Sequence, residues 1–150
     1  MLTRFEQFTS AISGIYRSIQ KIERDEMEKF GLKGAYAQYL LAMAHHPEGI
    51  TAAALCGSCD KDKAAISRIL SEMEVKGLVV RDSGGYRALV RLTEAGKSSA
   101  RYVQEKATAA VEIAGSVLTE DERKNLYMIL DRLAGKLQDI SRDGIPVSHL

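Results

Sequence analysis

Apolar residues recur at alternating steps of three and four near the start of the chain. Phe5, Phe8, Ile12, Ile15, Ile19 and Ile22 fall in one seam, the spacing of a helix from about residue 3 to 28. A seam this regular requires a partner surface. Gly31 and Gly34 then interrupt the pattern, and a second helix is predicted from about Ala35 to His46. It has Tyr36, Tyr39, Leu40 and Met43 for the core, with Pro47 and Gly49 ending it. At the other end of the chain Thr93 can cap a long helix reaching about Gly115, whose apolar side carries Ala100, Val103, Ala107, Ala110, Val111 and Ala114. A capping box, Thr119 with Glu122, opens a last helix striped with Leu126, Ile129, Leu130, Leu133, Leu137 and Ile140. Ser141 to Leu150, with Gly144 and Pro146, reads as a tail.

Between these helices, Thr51 to Leu92 follows a different plan. Thr51 can N-cap a short helix whose apolar face carries Ala54 and Leu55, and this helix gives way near Cys59-Asp60. Asp62 then caps a longer helix that buries Ile66, Ile69, Leu70 and Met73. Its other face shows Lys63, Ala64, Ser67, Arg68 and Ser71, short or cationic side chains suited to a major groove about 12 Å wide. Gly77 fits a left-handed cap after Lys76. Leu78 to Arg81 reads as a strand, Asp82 to Tyr86 as a turn, and Arg87 to Leu92 as a returning strand. Ala88, Val90 and Leu92 face inward on it, and Arg87 and Arg91 face outward, toward phosphates or the minor groove.

The order helix, turn, basic-fronted helix, hairpin carries a resemblance. Leu55-Cys56, Ile66-Ser67-Arg68-Ile69-Leu70, Glu74 to Arg81, and Val90-Arg91-Leu92-Thr93-Glu94-Ala95-Gly96-Lys97 resemble the winged helix-turn-helix of MarR-type transcriptional regulators. The flanking helices match that family's layout, so the resemblance covers nearly the whole chain. The family usually has an Asp-Arg-Arg run at the wing tip. Here Ser83-Gly84-Gly85-Tyr86-Arg87 replaces it, leaving Arg87 as the candidate tip arginine. Asp60-Lys61 stands where the turn usually has a glycine and an apolar residue. Asp tolerates that turn conformation, and Lys61 adds a cation beside the DNA backbone.

The expected fold is therefore mainly α with a small β-wing. A winged helix-turn-helix lobe occupies 31–94, N- and C-terminal helices at 1–30 and 95–140 form a dimerisation element, and 141–150 is a tail. The terminal helices carry more apolar surface than a small lobe can cover, and a two-fold homodimer buries it economically. Such a dimer also sets two recognition helices roughly 34 Å apart, matching the halves of a palindrome in double-stranded DNA. The resemblance implies the same arrangement, and with it small aromatic or phenolic effectors bound between the dimerisation helices and the lobe.

Composition narrows this further. A net charge of +1, from 21 basic and 20 acidic residues, argues against coating nucleic acid by bulk charge, so DNA contact must come from local placement of cations. The N-terminus lacks a signal-like apolar run and no stretch approaches the roughly 20 apolar residues of a bilayer span. The expectation is a cytoplasmic protein with reduced cysteines.

Competing readings remain at several positions. The exposed face of the second motif helix can be an ordinary surface, or part of a protein-interaction module, since helix-turn-helix geometry serves both. If it reads DNA, Ser67 and Arg68 are the candidates for base edges and Lys61 and Lys63 for phosphates, with Ala64, Ser71 and Arg87 completing the interface. Cys56-Gly57-Ser58-Cys59 has the spacing of a redox pair or half a metal site, with His45 and His46 upstream. By place, Cys56 fills the small-residue slot where the motif helices touch and Cys59 closes the first helix, so burial as small hydrophobes also explains both. His45 and His46 fit a polar helix end, Tyr36, Tyr39 and Phe30 fit the core, and Ser83-Gly84-Gly85 lacks the following helix that a phosphate loop needs. No nucleophile-base pair or metal set points to an enzyme and no cofactor is implied.

Overall fold

The computed structural model describes residues 1–59, 62–82 and 87–149. The expected turn at Asp60-Lys61 and the wing tip at 83–86 lie outside them. Helix α1 spans Arg4–Lys29 and starts at a capping box: the Thr3 hydroxyl accepts from the Glu6 amide at 3.1 Å, and the Glu6 carboxylate accepts from the Thr3 amide at 2.7 Å. The chain then reverses through Gly31, at φ 91°.

A single 3₁₀ turn, Gly34–Tyr36, leads into α2, Ala37–Ala44. The second helix thus begins later and ends earlier than the sequence suggests. Gly34 lies so close to α1 that a Cβ there would meet that of Arg24 at 3.0 Å, and the tight turn fits this crowding. Tyr36, Tyr39, Leu40 and Met43 enter the core as expected. Phe30 does not: it is 41% exposed and stacks on Tyr102, ring centroids 4.7 Å apart.

Strand β1, Ile50–Thr51, runs into α3, Ala52–Cys59, where the Thr51 hydroxyl accepts from the Ala54 amide at 3.2 Å. Leu55 and Cys59, one turn apart, form the buried side. Ala54, expected on that face, is exposed because it lies about 100° around the helix from Leu55. Helix α4, Lys63–Val75, is capped by Asp62, which accepts from the Ala65 amide at 2.8 Å. It ends in a paired-bond left-handed cap: Leu78 donates to the Met73 carbonyl, Gly77 donates to that of Glu74, and Gly77 has φ 73°.

Strands β2, Val79–Arg81, and β3, Leu89–Leu92, complete an antiparallel sheet in the order β1-β3-β2. Val79 pairs with Leu92, Arg81 with Val90 and Ile50 with Val90. Ala88 and Val90 face inward as expected, and Leu92 is half-buried. The two residues of β1 are too few to show alternation, so their pairing is visible only in the fold.

Helix α5, Glu94–Gly115, starts at Thr93, whose hydroxyl accepts from the Gly96 amide at 3.1 Å and donates to the Gly77 carbonyl at 2.6 Å. Its first turns bury Ser99, Ala100 and Val103. One core joins Met27, Leu40, Met43, Leu55, Ile66, Leu70, Met73, Val79, Val90 and Val103.

The chain divides into two compact units, 1–111 and 112–150. Within the second, α6 spans Glu120–Asp143 from the Thr119–Glu122 capping box, and Arg123 bridges back to Glu112 at 3.0 Å. The helix continues past Ser141, the expected start of the tail, and stops at Gly144, φ 86°, before Pro146. A short 3₁₀ turn follows at Val147–His149. No residue of α6 is buried within one chain.

Candidate nucleic-acid interface

The face of α4 that turns away from Ile66, Leu70 and Met73 carries Lys63, Ala64, Ser67, Arg68 and Ser71, all exposed. Steps of four place Lys63, Ser67 and Ser71 on one line, and Ala64 and Arg68 on the next. No side chain between Lys63 and Arg68 on this face is longer than serine, so a surface approaching it there meets backbone closely. The Ser71 hydroxyl donates to the Ser67 carbonyl at 3.0 Å. Toward an outside partner it therefore acts as an acceptor. Lys61 lies outside the described residues.

The acidic residues of α4 are answered by cations from neighbouring elements. Glu72 accepts from Lys33 at 2.8 Å and from the Tyr36 hydroxyl at 3.1 Å. These two bonds, that of Lys33 first, hold its carboxyl below the usual carboxylate value, while the same contact raises Lys33. Glu74 has Arg81 at 3.6 Å. Both pairs are partly exposed and add little stability individually. Their effect on the surface is to offset negative charge that would repel a polyanion. The link from Glu72 to Lys33 and Tyr36 escaped the sequence reading because Glu72 lies 39 and 36 positions from them and no local motif joins them.

On the wing, Arg87 is exposed as expected. Arg91 is exposed too but is bound to Asp82 across the hairpin, so it is committed within the wing rather than held out toward a ligand. No salt bridge among the described residues engages Arg68 or Arg87.

The two cysteines divide by depth. Cys59 is buried, its Sγ 3.9 Å from the Gln38 carbonyl, and Cys56 is half-buried; both are thiols. Burial of the Tyr39 phenol, and after it the adjoining Cys59 and Cys56 thiols, raises the Tyr39 pKa. Among the described residues no group of three or more His, Cys, Asp or Glu could hold a metal ion, and no helix is long and apolar enough to cross a membrane.

Residues 30–96, the stretch that builds the motif and wing, match the family model described as the MarR family. No curated protein matches the chain by sequence. Solved structures share the fold. A MarR transcriptional regulator from Methanosarcina mazei Go1 superposes with a TM-score of 0.79 at 24% identity, covering 93% of this chain and 94% of the other. A protein from Listeria monocytogenes assigned to the MarR family of transcriptional regulators, complexed with 26mer DNA, gives 0.74 at 22%, covering 91% and 90%. The oxidized form of MarR from E. coli gives 0.73 at 18%, covering 89% and 96%.

Proposed function

We propose that this chain, whose residues 30–96 match the MarR family model, is a transcriptional regulator of that family that binds a palindromic operator as a homodimer, repressing until a small molecule or an oxidant releases it. The observation that carries this is the exposed face of α4, with Lys63 and Arg68 flanking Ala64 and Ser67. In this reading Arg68 and Ser67 meet base edges, Lys63 and Lys61 meet phosphates, and Ala64 and Ser71 allow close approach. Arg87 reaches the backbone or minor groove from the wing.

The dimer is supported by the apolar residues left uncovered on the terminal helices. Phe5, Ile15 and Leu137 are each at least half exposed, although they belong to seams with regular helical spacing. Two copies that bury these seams hold their recognition helices one duplex turn apart, and an effector that alters this spacing weakens the grip. An oxidant is a second release signal because Cys56 and Cys59 lie in α3, which packs on α4. Oxidation there would strain the support of the recognition helix.

Selection of bound fragments from genomic DNA, followed by titration of the recovered fragment at several salt concentrations, tests the reading. A regulator with several phosphate contacts loses affinity steeply as salt rises. A winged-helix protein-interaction module would show no such affinity, and that result would overturn the proposal.

A further inference from the structure

An open cleft of about 410 Å³ runs beside the exposed face of α4, lined by Lys33, Tyr36, Ser71, Glu72, Val75 and Lys76. Lys33 and Tyr36 come from the 3₁₀ turn before α2 and its cap, the others from α4 and its C-cap. Ser71 belongs both to this cleft and to the face that carries Ser67 and Arg68. The two surfaces are therefore continuous.

We infer that this cleft receives the DNA sugar-phosphate backbone along one edge of the major groove, with Lys33 as a phosphate contact held in place by Glu72. The inference rests on the reading that α4 enters DNA, and it extends the footprint to an element outside the helix-turn-helix. A helix about 10–12 Å across fills a major groove about 12 Å wide. A cation carried beside that helix by another element meets phosphates rather than base edges.

Lys33 is such a cation. Its Nζ lies 2.8 Å from the Glu72 carboxylate, and its side chain is 59% exposed. Glu72 stands about one helical turn beyond Arg68, and the Arg68 guanidinium favours the Glu72 carboxylate while opposing the charge on Lys33. Lys33 and Arg68 thus share one neighbourhood. The carboxylate is itself fixed from below, because Tyr36 is fully buried and its hydroxyl donates to Glu72 at 3.1 Å. An exposed pair of this kind stabilises a fold little, but it sets the ammonium at a defined place. With three donors, Lys33 can keep Glu72 and take a phosphate oxygen as well.

The rest of the lining suits a backbone better than an isolated anion. Lys33 and Lys76 supply two amines against the single carboxylate of Glu72, and Val75, 89% exposed, adds an apolar wall. A DNA strand alternates anionic phosphates with deoxyribose, whose carbon faces are apolar. Free phosphate would leave Val75 unused.

The test compares the parent, Lys33→Gln, Lys33→Arg and Glu72→Gln proteins on the recovered genomic fragment and on random DNA across a series of salt concentrations. Lys33→Gln should weaken both DNAs alike, by roughly three- to tenfold at low salt, and reduce the salt slope by about one. Lys33→Arg keeps the charge and should keep the slope. Glu72→Gln retains an acceptor oxygen for Lys33 and Tyr36 but removes a negative charge facing the duplex, so it should tighten both DNAs by about threefold or more. A bridge that serves the fold alone predicts that both Gln variants lose affinity with the slope unaltered. Unfolding curves recorded alongside establish that each variant is folded at the assay temperature. If the parent binds with a salt-dependent affinity and Lys33→Gln leaves the slope unchanged, or Glu72→Gln weakens binding, the contact is overturned while the reading of α4 stands. A parent with no salt-dependent affinity overturns both.

Discussion

A Cβ on Gly96 would stand 2.1 Å from the carbonyl oxygen of Leu78. Helix α5 therefore crosses the start of β2 at backbone contact, and only glycine fits. The same carbonyl accepts from the Thr93 amide at 3.0 Å, so the Leu78 peptide is fixed between the cap and the first turn of α5. Gly96→Ala should destabilise the fold by about 1–3 kcal/mol through overpacking against an oxygen that cannot move aside. Gly57→Ala, at an exposed helical position with nothing within 4 Å, should instead be neutral or stabilising by up to about 1 kcal/mol. Urea unfolding of both variants checks the contrast, and equal effects would remove the claim that the Leu78 contact is what selects glycine.

Arg68→Ala should shrink the discrimination between operator and random DNA by about 1–3 kcal/mol, because a base contact contributes only on the correct sequence. Lys63→Ala should weaken both DNAs alike and reduce the salt slope by roughly one. Competition binding on the two DNAs separates these outcomes. Equal losses for Arg68→Ala would move it to the phosphate class.

Ile15→Asp should convert the proposed homodimer to monomer. Ile15 is 58% exposed in one chain, and burial of an isoleucine side chain contributes about 1.5–3 kcal/mol. Two-fold symmetry doubles the damage, since each interface holds both copies. Sedimentation velocity reads the mass directly, and an unchanged dimer would show that the α1 seam is not the interface.

Acid should loosen the hold of Glu72 on Lys33 and Tyr36. The Glu72 carboxyl sits below its ordinary value of 4.5, first through the Lys33 hydrogen bond and then through that of Tyr36. The folded state thus binds this proton less tightly than the unfolded chain. The stability gained is fully present above the unfolded value and is lost as pH falls from about 4.5 through the lower folded value. Glu72→Gln should lower stability at neutral pH and give a shallower loss below pH about 4.5. Urea midpoints measured across that range test it. Parallel curves for the two proteins would mean that the ion pair contributes nothing.

Alkylation under native conditions should reach half-buried Cys56 before buried Cys59. Mass spectrometry after brief iodoacetamide treatment distinguishes the two sites. Equal rates would show that α3 opens readily and would weaken the case for Cys59 as a packed residue.

The chain encoded its local structure in short-range patterns. The two Thr-x-x-Glu boxes mark the starts of α1 and α6, Asp62 caps α4, Gly77 takes the left-handed turn after it, and the three-four spacing separates Ile66, Leu70 and Met73 from Lys63, Ser67 and Arg68. Such features depend on neighbours within about one helical turn, so sequence alone determines them. The same is true of the exposed basic face, because a period fixes which side chains point together once one side is buried.

Contacts between distant segments were settled only by folding. Strand β1 exists because β3 pairs with it, Phe30 leaves the core because Tyr102 offers it a stacking face, and Arg91 turns to Asp82 across the hairpin. Glu72 meets Lys33 and Tyr36 from the far side of the motif. None of these has a sequence signature, because residues well beyond one helical turn apart in the chain become neighbours only when the fold closes.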